Sequence, residues 1–172
     1  SMQYTVAKFY RINGGSTQHK GVVPDISFPT PIDPEDWGES KEENALPWDS
    51  VPAASYSSAT DIKAALPILK EKHAKRIAEE REFQYLAADI VEYKKEQDEK
   101  TISLNEKDRI AKKDSQTAKD LARVNERLQR LKLPQVKKID EAPEKLEKLD
   151  PFLEETALIT ADLVMTGRIA SK

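Results

Sequence analysis

The sequence has no cysteine, and its 172 residues include only two histidines, His19 and His73. Without cysteine the chain has no disulfides, no thiolate metal ligands and no cysteine nucleophile. The two histidines lack the paired spacing of a zinc motif, so we expect no metal and no cofactor. Long apolar runs are also missing. The most apolar segment, residues 157–165, is short and contains Asp162, so we expect no membrane-spanning helix.

The chain also lacks an excess of positive charge. It has 28 Lys and Arg against 31 Asp and Glu, and a net charge of −3. Its aromatic residues do not alternate with a basic stripe, and many of its basic residues stand three or four positions from acids, which favours pairing on a solvated helix face. We therefore expect no nucleic-acid partner.

Prolines and acids are concentrated between residues 29 and 58. Regular structure is not expected there, because proline fixes φ and removes a hydrogen-bond donor. Leu46 and Trp48 are too apolar to remain free in this stretch, so we expect them to dock on a neighbouring surface. The composition divides the chain into a strand-like segment (1–30), a Pro-rich acidic linker (31–58) and a helical domain (59–172).

The strand-like segment has the pattern of a short hairpin. Residues 4–12, YTVAKFYRI, alternate in the manner of a half-buried strand. Asn13-Gly14-Gly15 then supplies positive-φ positions for a turn, and a second extended piece is predicted over residues 22–28. A lone hairpin is marginal in water, so this fragment is expected to belong to a larger sheet.

From about residue 60 the apolar residues recur with the period of an α-helix. Pro67 is expected in the first turn of the first helix, where proline is tolerated. Leu69, His73 and Ile77 fall on one face, with His73 at a boundary or on the surface. The second helix carries an apolar stripe formed by Phe83, Leu86, Ile90 and Tyr93.

Two further helices are predicted from their end signals. Asn105 is expected to cap a helix over residues 106–132 that Pro134 terminates, and Asp150-Pro151 to begin the last helix. The apolar edge of the third helix is Ile110, Ala118, Leu121, Val124, Leu128 and Leu131. The last helix is the most apolar, and we expect it to lie centrally and to bury Leu153, Ala157, Leu158, Ala161, Val164 and Met165. The fold class is therefore mainly α, a small domain of about four helices preceded by a short β-hairpin fragment and a Pro-rich linker.

No catalytic constellation is visible in this pattern. Gly14-Gly15-Ser16-Thr17 lacks the lysine–hydroxyl ending of a phosphate loop, and no helix pattern follows it. Ser16 and His19 lie on a loop that does not hold them at hydrogen-bonding distance without outside support. Two hypotheses remain open from the residues alone: an independent helical protein–protein interaction module, and a stand-alone hydrolase that uses Ser16 and His19.

Five segments, in this order, resemble the bacterial tail-specific proteases, a branch of the carboxyl-terminal processing protease family. The most specific is KFYRINGGSTQHKGVVPDI (8–26), which resembles the end of the family's protease domain. The others are NALPWDS (44–50), ISLNEK (102–107), LARVNERLQR (121–130) and DPFLEET (150–156). The resemblance spans nearly the whole chain and implies that it is the C-terminal region of such a protease.

The resemblance implies a parent protein that is a periplasmic serine endopeptidase with a serine–lysine dyad and no metal or cofactor. Such enzymes process or degrade proteins recognised by an apolar C-terminus, which a PDZ domain captures by strand addition. The implied partners are the upstream protease and PDZ domains of the same chain, these protein substrates, and an adaptor or a second copy.

The dyad is expected upstream of residue 1, because the family's Gly-Lys-Gly-Thr element is absent here. Lys8 and Lys20 do not match the catalytic lysine, so no catalytic residue is assigned and the chain by itself is expected to be inactive. The residues that match family motifs are expected to be structural, and they are Gly14, Gly15, Gly21, Pro24, Asp25 and Trp48. The chain is thus predicted to be a non-catalytic accessory domain that shapes substrate access or docks partners.

Overall fold

The structure, a computed structural model, describes residues 7–32, 38–57, 62–146 and 148–166. These residues contain four α-helices, α1 (Ile62–Glu79), α2 (Arg81–Asp98), α3 (Glu106–Arg130) and α4 (Pro151–Met165). Three short 3-10 helices lie at Glu39–Lys41, Ile139–Glu141 and Glu144–Leu146. The predicted fold class, mainly α with four helices, is confirmed. The chain forms two compact units, Ser1–Lys94 with Phe152–Lys172, and Lys95–Pro151. The predicted boundaries at residues 30 and 58 stay a prediction.

The N-terminal segment forms a tight loop. The predicted turn is present: the Gly14 N–H donates to the Arg11 carbonyl at 2.8 Å, and the Arg11 N–H donates to the Gly15 carbonyl at 2.9 Å. The predicted strand is not confirmed. Residues 4–6 lie outside the described residues, and within residues 7–32 and 38–57 only isolated antiparallel bridges occur, at Tyr10–Ser16 and Gly15–Ser50. A short two-stranded ribbon gains little from its own pairing, which fits this outcome.

The first helix begins earlier than its proline suggested. α1 starts at Ile62, so Pro67 lies in its second turn and not in its first. Because proline has no N–H, the carbonyl of Lys63 receives no helical bond from it. The face predicted from the pattern is present, since Leu69 and His73 are buried and Ala65 joins them one turn earlier.

A one-residue corner at Glu80 separates α1 from α2. The Glu80 N–H still donates to the Arg76 carbonyl at 2.8 Å. Its carboxylate accepts from the Phe83 N–H at 3.0 Å, which caps the start of α2. The Gln84 side chain donates to the Ala78 carbonyl at 2.9 Å and so covers the end of α1. The corner therefore satisfies backbone groups on both helices without a longer loop.

An aromatic cluster forms the centre of the first unit. Phe28, from the N-terminal segment, lies 5.1 Å from His73, 5.9 Å from Phe83 and 5.3 Å from Phe152, measured between ring centroids. Phe83 and Phe152 meet edge to face at 5.5 Å. These edge-to-face and offset arrangements are the favourable ones for aromatic rings. The cluster therefore joins the N-terminal segment to α1, α2 and α4.

In the second unit, α3 is bounded by the signals that predicted it. The Asn105 side chain accepts from the Lys107 N–H at 2.9 Å, as an N-cap does. The helix ends at Arg130, two residues earlier than predicted, because Lys132 adopts a left-handed conformation with φ of +57°. Pro134 follows this turn and prevents any continuation.

The core of the second unit is small and lies at the C-terminal half of α3. Leu128 is fully buried, and the predicted neighbours Leu121, Val124 and Leu131 are half-buried. The Asn125 amide donates to the Val136 carbonyl at 3.0 Å and accepts from the Val136 N–H at 2.8 Å. The N-terminal half of the predicted apolar edge is not buried, since Ile110 and Ala118 are exposed.

The last helix begins at Pro151 as predicted, but the side of it that is buried is opposite to the predicted side. Its buried residues are two acids, Glu155 and Asp162. All the residues predicted to form its buried face are exposed, namely Leu153, Ala157, Leu158, Ala161, Val164 and Met165. The prediction of a centrally packed apolar helix is therefore wrong. The reason lies in the basic residues that α1 turns toward the two acids.

Candidate functional site

Two backbone segments hold each other in a feature that we call the clasp, residues 8–21 with residues 48–54. The Ser16 N–H donates to the Asp49 carbonyl at 3.0 Å, and the Val51 N–H donates to the Gly14 carbonyl at 2.9 Å. A third bond joins the Ala54 N–H to the Ile12 carbonyl at 3.0 Å. The NALPWDS motif thus docks on the GGST loop by backbone pairing.

Asp49 is the polar centre of the clasp. Its carboxylate accepts from the Lys8 ammonium at 2.7 Å and from the Tyr10 hydroxyl at 3.0 Å. The hydrogen bond from Lys8 holds the pKa of Asp49 below its usual range, and the same bond raises the pKa of Lys8. Lys8 is therefore a charged ammonium at neutral pH and cannot accept a proton as a general base.

Gly14 makes the close approach of the clasp possible. Gly14 has a φ of +84°, and a side chain there would collide with the Val51 carbonyl. A side chain at Gly15 would begin 3.4 Å from the Trp48 ring. The Lys20 ammonium lies 4.5 Å from the centroid of the same ring, a cation–π contact. Trp48 docks as predicted although it keeps 42% of its surface exposed.

The other motif residues lie at the edge of the clasp or beyond it. Gly21 has a φ of +60° and donates its N–H to the Thr17 carbonyl at 2.8 Å. Pro24 and Asp25 follow and are exposed, as is Leu46 on the docking motif. Gly14 and Gly21 thus lie in positive-φ turns, and a structural role for the motif residues Gly14, Gly15, Gly21, Pro24, Asp25 and Trp48 stays a prediction.

The structure does not bring Ser16 and His19 together. Ser16 is buried, and its hydroxyl accepts from the Asp49 N–H at 3.4 Å. His19 is exposed, and its backbone N–H donates to the Glu39 carboxylate at 3.3 Å. Over residues 7–32 and 38–57, no hydrogen bond joins the serine to the imidazole. A buried hydroxyl without a base is not an activated nucleophile.

A second polar feature, which we call the ionic cluster, joins α1 to α4. Arg76 reaches both acids: its guanidinium donates to Glu155 at 2.8 Å and to Asp162 at 2.7 Å. Lys72 contacts the other oxygen of Asp162 at 2.7 Å, and His73 Nδ1 lies 2.9 Å from Glu155. The cluster is therefore Lys72, His73 and Arg76 on α1 with Glu155 and Asp162 on α4.

The spacing of these residues explains how two helices can share the cluster. Lys72 and Arg76 are four residues apart, and His73 stands three before Arg76, so all three project from adjoining turns of α1. Glu155 and Asp162 are seven apart, which places them on one face of α4 two turns from each other. A bidentate guanidinium–carboxylate contact adds directional hydrogen bonds to the charge pairing. The cluster thus sets the rotation of α4 about its axis.

The charges in the cluster stabilise one another. Burial raises the pKa of Glu155, but the hydrogen bonds from Arg76 and His73 outweigh it and leave that pKa lowered. Hydrogen bonds from Lys72 and then Arg76 lower the pKa of Asp162. The bond to Glu155 raises the pKa of Arg76. Both carboxylates are therefore ionised at neutral pH.

His73 links the ionic cluster to the aromatic cluster. The sequence placed it at a boundary or on the surface, but it is only 5% exposed, so that prediction is wrong. Its Nδ1 faces Glu155, and its ring meets Phe28 edge to face. Its Nε2 is buried and has no hydrogen-bond partner within the described residues. The imidazole therefore contacts a carboxylate on one side and an aromatic ring on the other.

Sequence reasoning missed the ionic cluster, although it left a signal. Glu155 and Asp162 interrupt the most apolar helix of the chain with a spacing of two turns. Lys72 and Arg76 flank His73, which the pattern had placed on the face shared with Leu69. In the part of the chain that the structure describes, no group of three or more His, Cys, Asp or Glu residues could hold a metal ion. The ion pairs of the cluster join α1 to α4.

None of the helices described by the structure is both long and apolar enough to cross a membrane. A family model described as the C-terminal domain of tail specific protease matches residues 32–165. The chain is 46% identical over 167 residues to a tail-specific protease of Haemophilus influenzae. The alignment covers 95% of this chain but 24% of that relative, so the chain spans about a quarter of the relative's length.

Proposed function

Because this chain belongs to the family of C-terminal domains of tail-specific proteases, we propose that it is the non-catalytic accessory domain of a periplasmic serine protease. In this proposal the serine–lysine dyad lies upstream of residue 1. The enzyme processes or degrades proteins that it recognises by their apolar C-termini, with a PDZ domain of the same polypeptide as the receptor. The domain needs no metal or cofactor.

The observation that carries the proposal is the state of Lys8 and Ser16. A lysine that acts as a general base must lose its proton near neutral pH, but Asp49 raises the pKa of Lys8. Ser16 is buried within the clasp, and its hydroxyl accepts from the Asp49 N–H. Lys8 and Ser16 therefore serve as structural parts of the clasp, and peptide-bond hydrolysis is assigned to residues outside this chain.

The clasp gives the proposed domain a firm attachment. Residues 8–26 are proposed to complete the protease core, and residues 48–54, which precede α1 in the chain, bond to the first part of that segment. The chain that enters the helical domain is thus held at the edge of the core by three backbone hydrogen bonds and the Lys8–Asp49 pair. We propose that this attachment positions the helices so that they shape substrate access or dock an adaptor or a second copy.

The test compares the longer enzyme with a variant that lacks residues 62–166. Two substrates carry the same apolar C-terminus, one a short peptide and the other a folded protein. We expect the deletion to lower kcat/KM for the protein by at least about tenfold and to change kcat/KM for the peptide by less than about threefold, because access matters for the large substrate. A fluorophosphonate probe that labels both enzymes equally serves as the folding control.

Unchanged kcat/KM on both substrates would contradict an accessory role. The 172-residue chain itself provides the second arm of the test, in which we expect neither peptide hydrolysis nor fluorophosphonate labelling. Turnover by that chain alone would show that the chemistry resides here and would support the stand-alone hydrolase hypothesis.

A further inference from the structure

The buried imidazole of His73 lies where the N-terminal segment meets the helices. Its Nδ1 is 2.9 Å from the Glu155 carboxylate on α4, and its ring centroid is 5.1 Å from that of Phe28. Its Nε2 is buried and has no hydrogen-bond partner in the part of the chain that the structure describes. The imidazole therefore has one ring nitrogen that is paired and one that is not.

Only the unpaired nitrogen is free to change its protonation. Glu155 is ionised at neutral pH and only accepts hydrogen bonds, so Nδ1 of His73 must carry a hydrogen and donate it. A change in the charge of the ring therefore takes place at Nε2. A proton there would leave a buried N–H of a charged ring without an acceptor among the described residues, which is unfavourable. The contact thus requires the neutral imidazole with its hydrogen on Nδ1.

The charges around His73 already balance without it. Lys72 and Arg76 on α1 supply two positive charges, Glu155 and Asp162 on α4 supply two negative ones, and these groups pair at 2.7–2.8 Å. Among the described residues, no charged group of α2 or of the N-terminal segment pairs with the imidazole. A positive charge on Nε2 would therefore be a third cation in the ionic cluster, with no acid left to compensate it.

Phe28 is the neighbour of the imidazole that is least firmly held. It lies on the N-terminal segment, outside the helices, and is half-buried. Within the described residues, positions 22–29 make no backbone hydrogen bond, so ring contacts with His73, Phe83 and Phe152 hold Phe28. Helix α4, by contrast, is joined to α1 by three ion pairs. A movement that admits water to the imidazole therefore displaces Phe28 and leaves α4 in place.

We propose that the contact between His73 and Phe28 is a pH-sensitive switch, in which Phe28 stays docked on the neutral imidazole and is released when Nε2 takes up a proton. Because the released state binds one more proton than the docked state, acid favours release. Histidine is the side chain whose charge ordinarily changes between about pH 5 and pH 8, so the switch operates in mild acid. The inference concerns contacts within this chain and does not depend on the proposed function.

The chain allows a selective test, because it has only two histidines and four phenylalanines. The 172-residue chain is labelled with isotope-enriched histidine and with para-fluorophenylalanine. Nuclear magnetic resonance then reports the protonation of each imidazole and the solvent exposure of each phenyl ring. His19 and Phe9, which are both exposed, are the internal controls, and the variants His19→Gln and Phe28→Ala assign the signals.

At about pH 7.5 we expect His73 to carry its one ring hydrogen on Nδ1. On acidification to about pH 5.5, the fluorine signal of Phe28 should move to that of a solvent-exposed ring, with the same midpoint as the charging of His73. The signal of Phe9 should not follow this midpoint. Circular dichroism should show unchanged helix content over the same range, which separates release of Phe28 from unfolding.

The variant His73→Gln removes the switch and keeps the hydrogen bond. Glutamine offers an N–H donor toward Glu155 but takes up no proton, so Phe28 should remain docked at about pH 5.5. The matched variant His19→Gln should respond to acid as the unsubstituted chain does, because His19 is exposed and lies outside the aromatic cluster.

The variant Phe28→Ala tests the same linkage from the other side and does not depend on the folding of His73→Gln. Without the phenyl ring, water reaches Nε2, so His73 should become charged at a proton concentration at least about tenfold lower than in the unsubstituted chain. Phe9→Ala is the matched control, since Phe9 is 67% exposed, and it should leave the charging of His73 unchanged.

Four results would overturn the inference. Charging of His73 while Phe28 stays docked would show that the two events are not linked. A Phe28 ring that becomes less exposed in acid would show that the charged imidazole attracts it. Release of Phe28 from His73→Gln in mild acid would assign the response to another group. An imidazole that stays neutral until the helices unfold would show that the switch does not operate.

Discussion

At the scale of single residues, Arg76 decides how the first unit is held together. Its one guanidinium contacts Glu155 in a bidentate manner and Asp162 through another nitrogen. Removing such a partner leaves buried carboxylates without their counter-charge, which is more destabilising than the net value of the pair. The sequence offered no reason to single out Arg76 among 28 basic residues, because its importance comes from two acids some 80 positions later.

We expect Arg76→Ala to lower the free energy of unfolding by about 3 kcal/mol. This value is the lower end of the range for removing one partner of a buried ion pair, because a quarter of the Arg76 side chain is exposed. Arg76→Lys keeps the charge but loses the bidentate geometry, so an intermediate loss is expected. Urea denaturation of the 172-residue chain measures both. Lys75→Ala, on an exposed position of the same helix, is the control and should change stability by less than about 0.5 kcal/mol. Equal effects at positions 75 and 76 would contradict a structural role for the cluster.

Substitutions at Gly14 and Gly21 distinguish the effect of a steric clash from the effect of backbone strain. Both have positive φ, but only at Gly14 would a side chain meet the Val51 carbonyl, and at Gly21 nothing lies within 4 Å. We expect Gly21→Ala to lose about 1 kcal/mol from strain alone, and Gly14→Ala to open the clasp. Hydrogen exchange of the Val51 N–H, which donates to Gly14, should accelerate at least about tenfold in Gly14→Ala and stay unchanged in Gly21→Ala. Similar exchange in both variants would indicate that the close approach is unimportant.

At the scale of elements, local chemistry predicted where α3 and α4 begin. Asn105 and Pro151 stand at predicted helix starts, because a cap or a proline acts on the adjacent backbone groups alone. The rotation of a helix is a different matter. α4 is apolar over most of its circumference, so its pattern leaves the inward face undecided. The side of α4 that is buried is set by the basic side chains of α1, so it cannot be read from the sequence of α4 alone.

The inverted orientation of α4 predicts opposite responses from two leucines. Leu69 on α1 is buried, so Leu69→Ala should lower the free energy of unfolding by about 2–5 kcal/mol through lost contacts and a cavity. Leu158 on α4 is half exposed, so Leu158→Ala should cost less than about 1 kcal/mol in the 172-residue chain. Thermal and urea unfolding of the two variants provide the comparison. A large loss at Leu158 would mean that this side of α4 is packed after all.

At the scale of the whole molecule, charge pairing across sequence-distant segments connects regions that a thin apolar core joins only weakly. Among the described residues the buried apolar side chains are Ala65, Leu69, Phe83 and Leu128. Lys8–Asp49 fastens the clasp, and the ionic cluster fastens α1 to α4. A chain with so few buried aliphatic residues should depend on the ionisation of these carboxylates.

We therefore expect stability to fall in acid. The pKa values of Glu155 and Asp162 lie below their ordinary values of 4.5 and 3.8, so the unfolded chain binds more protons than the folded one. Their contribution is complete above the ordinary values and is lost as the pH falls through the lower folded values. Urea midpoints measured from pH 5.5 to pH 3 should decline, most steeply below about pH 4.5. The urea midpoint of the Asp162→Asn variant should decline less over the same pH range. A midpoint of the unsubstituted chain that rises on acidification would contradict the assignment.

The family resemblance was readable from short local motifs, because a positive-φ glycine and a capping asparagine each depend on nearby backbone. For the same reason the sequence alone determined the four helices, the starts of α3 and α4 and the turn at Gly14. Only the tertiary structure decided that His73 is buried, that Glu155 and Asp162 point inward and that the aliphatic side chains of α4 point outward. These outcomes depend on pairing between residues some 80 to 90 positions apart, and long-range electrostatic pairing leaves no periodic trace in either helix.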